Sequence, residues 1–134
     1  MKLTIELMKA LSDPLRVRLL LLLARKELSV CQLMGITGAS QPLISRNLSI
    51  LKKLDLLKER REGKLRFYNL STDLPPLAEE VIDALKRHLE NDRAIKTDLA
   101  TLRECTEFQK KVGRCDMETF KEFIKRHRKK GGYL

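Results

Sequence analysis

The sequence predicts a mainly α-helical fold closed by a β-hairpin wing, and three observations carry that expectation. Two short helical patterns meet at a glycine-bearing turn over residues 30–54, the arrangement of a helix-turn-helix. A stretch at 58–70 with no helical period follows at once and is rich in strand-forming side chains. Basic side chains crowd the same region: residues 35–71 carry eight against three acids, whereas 72–100 carry four against seven. A helix-turn-helix followed by a basic hairpin is the winged helix-turn-helix arrangement, expected here as a dimer with an α-helical C-terminal extension.

The elements follow in order. Leu3, Leu7, Met8 and Leu11 recur at helical spacing and predict a first short helix. Ser12 or Asp13 can then cap a second helix over about 14–25, with Pro14 suited to its first turn. That helix is nearly all leucine, with Arg16, Arg18 and Arg25 as its polar edge, so it is the expected core helix. Ser29 can cap a third helix from Val30 to Met34, and Gly35 and Gly38 bracket the next turn. Ser40 caps a fourth helix with Pro42 in its first turn, and Ile44, Leu48, Leu51 and Leu54 form its apolar stripe. In the hairpin, Leu65, Phe67 and Tyr68 favour strand and Glu62-Gly63 lies between two strands as a tight turn.

Thr72 and the two prolines at 75–76 start a long helix, apolar at Leu77, Val81, Ile82, Leu85 and Leu89. A second row, coiled-coil-like, runs Ala78, Val81, Leu85, His88, Asp92, Ile95, Leu99, Leu102. One helix with two apolar rows needs more partner surface than a small domain offers, which predicts a homodimer. Leu3, Leu7, Leu77, Val81, Leu85 and Leu89 are its expected interface. Gly113 is expected to break the helix, and Met117, Phe120, Phe123 and Ile124 suggest one more short helix before a solvated basic tail at 125–132. The division predicted is a DNA-binding and dimerisation domain over 1–92 and a helical extension with a basic tail over 93–134.

Composition narrows the function. The 134 residues carry 28 lysines and arginines against 18 acids, a net charge of +10. Such a surplus favours a polyanion partner, above all nucleic acid. Three cysteines cannot all pair, which argues against a disulfide framework and for a reducing cytoplasm. The longest apolar run, Leu19 to Ala24, is too short to span a bilayer, and Arg16 and Arg18 interrupt any signal-peptide core. The chain has no glycine-rich phosphate cradle, no nucleophile motif and only two histidines, which speaks against an enzyme. A winged helix that binds protein would be favoured by acids on the outer face of its recognition helix, and residues 40–53 contain none.

The fourth helix is therefore the expected DNA-reading element, since one helix fills a major groove. Opposite its apolar stripe stand Ser40, Gln41, Leu43, Ser45, Arg46 and Ser49. Gln41 suits a bidentate pair with adenine, Arg46 one with guanine, and Leu43 a thymine methyl. Lys52 and Lys53, at the far end, suit phosphates, and Arg60, Arg61, Lys64 and Arg66 of the hairpin suit the backbone or a minor groove.

Together "ALSDPLRVRLLLLL", "ASQPLISRNLSILKKLDLL" and "ERREGKLRFYNL" resemble the ArsR/SmtB family of winged-helix repressors, over roughly residues 3 to 90. The resemblance implies a homodimer on a partly palindromic operator, with the first and last helices of the winged domain at the dimer interface. It also implies release by a metal or metalloid ion or another thiol signal, with no cofactor otherwise required. Arsenic and lead sensors of the family often read Glu-Leu-Cys-Val-Cys-Asp-Leu in the third helix, where this chain reads "ELSVCQL". Cys31 matches the second cysteine, while Ser29 and Gln32 replace the first cysteine and the acid. The zinc-sensor spacings of the family are absent from the dimer helix. His88 and Asp92, one turn apart there, suit a polar pair fixing helix register better than a ligand pair. Trivalent arsenic takes three thiolates, and Cys31, Cys105 and Cys115 are the three available, so an inducer ion, arsenite or another thiophilic ion, is expected on them. The alternatives are a response to thiol oxidation, or no metal at all with Cys31 as a small apolar filler.

Overall fold

The computed structural model describes residues 1–112, with side chains as far as Phe108. The order is α1 (Lys2–Ala10), α2 (Pro14–Leu23), β1 (Leu28–Ser29), α3 (Val30–Thr37), α4 (Gln41–Lys53), β2 (Leu57–Glu62), β3 (Leu65–Leu70), α5 (Pro76–His88) and α6 (Arg93–Val112). The three strands form one antiparallel sheet in the order β1-β3-β2.

Asp13 rather than Ser12 caps α2, accepting from the amides of Leu15 and Arg16. Leu19 to Leu23 are all buried, and α2 packs against α3, α4, α5, α6 and β3. Each of these leucines contributes roughly 1.5–3 kcal/mol by leaving water, which makes α2 the centre of the core.

Ser29 caps α3 as part of a capping box: its side chain accepts from the Gln32 amide, and the Gln32 side chain accepts from the Ser29 amide. The helix runs through Gly35 and ends at Gly38, which has a left-handed φ of 78°. The turn expected between Gly35 and Gly38 is thus helix until its last residue, where Gly38 in the left-handed conformation ends α3. Helix α4 ends in a Schellman motif, with the Leu56 amide donating to Leu51 O at 3.2 Å and the Asp55 amide to Lys52 O at 3.0 Å. Asp55 takes the left-handed position there, at φ 60°.

The wing differs from expectation by one residue. Glu62 pairs with Leu65, so the turn is Gly63-Lys64, with Gly63 at φ 60°. Strand β1, not expected from the sequence, pairs Leu28 with Tyr68 and Ser29 with Phe67, and so ties the start of α3 to the wing.

The expected long helix from residue 75 onward is two helices. Helix α5 stops at His88, and Asp92 restarts the chain by accepting from the amides of Ala94 and Ile95. Helix α6 then turns back onto α2 and α3. Ile95 and Leu102 are buried in the protomer instead of extending a dimer seam, and Leu102 belongs to the main core. His88 ends α5 and Asp92 caps α6 from outside it, so the two do not stand one turn apart on one helix. Gly113, Cys115, Met117, Phe120, Phe123, Ile124 and the basic tail lie outside the described residues.

Candidate nucleic-acid interface

Helix α4 presents two faces. Ile44, Asn47, Leu48 and Leu51 are buried, while Gln41, Leu43, Ser45, Arg46, Ser49 and Lys52 are exposed. Ser40, also exposed, caps the helix by accepting from the Leu43 amide. All the polar side chains expected to read bases therefore stand on one open face.

Asn47 is a member of the inner face that the apolar stripe overlooked. Only 2% of it is exposed. Its amide donates to Leu43 O at 2.9 Å, and its Oδ1 accepts from Arg16 Nη1 at 2.9 Å. Arg16 Nε also donates to Ala10 O at 2.6 Å, so one guanidinium joins the end of α1 to the middle of α4. A polar residue three after Ile44 and four before Leu51 is the signal that could have identified it.

In the wing, Arg61 stands directly across from Arg66, and Lys64 is exposed at the turn. Like charges opposed across a strand pair are unfavourable, and an anion laid over them relieves the repulsion. Arg60 is placed differently from the other wing arginines. Its guanidinium donates to Glu27 at 2.7 Å and Glu62 at 3.0 Å and stacks over Phe67, 4.6 Å from the ring centroid. The Glu27 carboxylate, and then that of Glu62, raise its pKa still further. Arg60 thus fastens β2 to the segment leading into β1, whereas Arg46, Arg61 and Lys64 make no ion pair among the described residues.

Glu59 links helix and wing. It accepts from Lys52 Nζ at 2.7 Å and from the Tyr68 hydroxyl at 3.3 Å, and pairs with Arg66 at 3.8 Å. The hydrogen bond from Lys52 above all holds its carboxyl below the usual carboxylate range, against the opposing effect of burial. Burial, and then the Glu59 charge, push the Tyr68 phenol above its ordinary value.

A groove of about 310 Å³ separates α4 from the wing, lined by Cys31 and Met34 of α3, Gln41 and Ser45 of α4, and Lys64 and Arg66 of the wing, among others. Cys31 is half-buried there and Cys105 is buried in α6, neither in a disulfide. Gln32 Nε2 lies 4.0 Å from Cys105 Sγ, so α6 brings Cys105 to the residue next to Cys31. Among the described residues no group of three His, Cys, Asp or Glu side chains could hold a metal ion. The α1 and α5 faces include apolar side chains in the open: Leu3 is 75% exposed and Leu77 37%, while Val81, Leu85 and Leu89 are half-buried and Leu7 is already covered by the protomer's own core.

The sequence profile described as "Bacterial regulatory protein, arsR family" matches residues 13–59. The arsenical resistance operon repressor of Escherichia coli (strain K12) is 41% identical over 100 residues, covering 73% of this chain and 86% of that one. The chain belongs to the ArsR family. As an ArsR-family protein it is a DNA-binding transcriptional repressor, with the fold of a regulator and not of an enzyme. Solved structures agree on the winged-helix fold. Reduced HlyU from Vibrio cholerae superposes with a TM-score of 0.57 at 30% identity, over 64% of this chain and 87% of that one. The repressor BigR from Xylella fastidiosa gives 0.55 at 32% identity, over 63% and 83%. No helix among the described residues of this ArsR-family chain is long and apolar enough to cross a membrane.

Proposed function

We propose that this repressor acts in the cytoplasm as a homodimer whose operator affinity is lost when arsenite, or another thiophilic ion, binds Cys31, Cys105 and Cys115. The carrying observation is the packing of α6 on α3, with Cys105 against Gln32, the neighbour of Cys31. Two thiols on one helix pair need a third ligand, and Cys115 follows ten residues after Cys105. Soft trivalent ions favour such a sulfur set. The arsenical resistance operon repressor of Escherichia coli is the relative whose name supports an arsenical inducer.

On DNA, Gln41, Ser45, Arg46 and Ser49 read base edges, Leu43 meets a thymine methyl, and Ser40, Lys52, Arg61, Lys64 and Arg66 meet backbone phosphates. Arg60 contributes by holding the wing in place. Two protomers meet through Leu3, Leu77, Val81, Leu85 and Leu89, with Leu7 supporting that face from beneath. The ion, by bridging α3 to the C-terminal segment, favours a dimer whose α4 helices no longer match two half-sites.

The test titrates arsenite, cadmium, zinc and peroxide against a selected operator fragment, for the wild type and for Cys31→Ser, Cys105→Ser and Cys115→Ser. Arsenite is expected to weaken binding about ten-fold or more in the wild type and to have little effect in each variant. X-ray absorption should then show arsenic bound only by sulfur, with bonds of about 2.3 Å, near the length of other metal–thiolate bonds. If no ion or thiol reagent alters affinity, the sensing role is wrong. A loss with peroxide alone would transfer it to thiol oxidation.

A further inference from the structure

Arg18 projects from α2 between α3 and α6. Its guanidinium meets the Asp98 carboxylate with two hydrogen bonds, Nε to Oδ2 and Nη2 to Oδ1, both 2.8 Å. The same Nη2 donates to the Thr37 carbonyl at 3.2 Å. The Asp98 side chain is only 2% exposed. Thr37 is the last residue of α3, and its hydroxyl donates to Leu33 O at 2.7 Å and accepts from the Ala39 amide at 3.2 Å. With Gly38 left-handed beside it, Thr37 holds the turn that leads into α4.

A guanidinium is planar, and its donors point in fixed directions. Two bonds to one carboxylate fix its plane, so a remaining donor is aimed at one point, here the Thr37 carbonyl. We infer that Arg18 and Asp98 are positioning residues for DNA reading: α6 seats Arg18, Arg18 seats the helix-turn-helix turn, and the turn sets the roll of α4. This rests on the reading that the exposed face of α4 meets DNA, and it needs no inducer. A buried charge is costly to leave unpaired, so Arg18 and Asp98 separate only as α6 lifts and water enters. The structure holds the pair docked, and an open arrangement would require α6 to lift. Linkage requires that, if docking favours DNA, DNA favours docking to the same degree.

Asp98→Asn in the full chain keeps the side-chain size and removes the charge. Its helical circular dichroism should be preserved. Affinity for a selected operator should fall about ten-fold, while affinity for random-sequence DNA changes less than about two-fold. A loss of folded protein would lower both alike, so equal losses overturn the inference, as does no loss. Arg46→Ala, run alongside, separates two failures. If it keeps its sequence preference, the reading of α4 fails and takes the latch with it. If only Asp98→Asn keeps it, the latch alone fails. Should Asp98→Asn not fold, amide exchange in the wild type decides: operator DNA should slow exchange over residues 95–102, and unchanged exchange there overturns the inference.

Discussion

Glu59 is an acid between α4 and the wing, on the face proposed to meet DNA. Its carboxylate holds Lys52 at the end of α4 and Arg66 in the wing, two of the cations expected to meet phosphates. Because its folded pKa is depressed, the link is fully present above the usual carboxylate range and is lost as pH falls through the lowered value. Glu59→Gln should therefore flatten the acid limb of the thermal-stability profile, by less than about 1 kcal/mol, since its partner Lys52 stands half in solvent. The same substitution releases Lys52 and Arg66, so binding to random-sequence DNA at low salt should tighten, as fluorescence anisotropy would show. Unchanged acid stability together with unchanged DNA binding would mean that Glu59 does neither job. Tyr68 works in the opposite range: its raised pKa adds stability below its ordinary value that disappears as alkaline pH passes through the folded one.

At the scale of elements, the joint between α4 and the wing turns on Asp55 in a left-handed conformation. Aspartate tolerates it at a cost that glycine avoids. Asp55→Gly should hold stability or raise it by up to about 1 kcal/mol in urea unfolding, whereas Asp55→Val should lower it by at least as much. Most of the elements were legible because their signals are local: Asp13-Pro14, Ser29 and Ser40-Pro42 start helices, and Gly63 marks the hairpin turn. The break between α5 and α6 was not, because the row through Leu85, Ile95 and Leu102 keeps its spacing across it, and only Asp92 marks the restart. Strand β1 was illegible for a different reason: two residues become a strand only by pairing with β3. Of the interface, the exposed face of α4 could be read from the period alone. The commitment of Arg60 to Glu27, 33 residues earlier in the chain, could not, and neither could the hold of Arg16 on Asn47.

For the whole molecule, the decisive packing is that of α6. Leu102 enters the core shared by Leu7, Leu19 and Ile82, and Asp98 neutralises Arg18 from 80 residues away. A chain ended at residue 92 would leave Arg18 without Asp98 and uncover the leucines of α2. It is expected to melt at least several degrees lower than the full chain, and with a broader transition by calorimetry. An unaltered melt would show that the core is complete without α6. The packing also bears on the order of events during synthesis. The recognition helix and wing leave the ribosome while their closing helix is still being translated, so for tens of residues a leucine-rich core waits half-roofed. That interval is where the nascent chain would most benefit from a chaperone, and where slower translation through codons 93–102 would lower the yield of folded repressor.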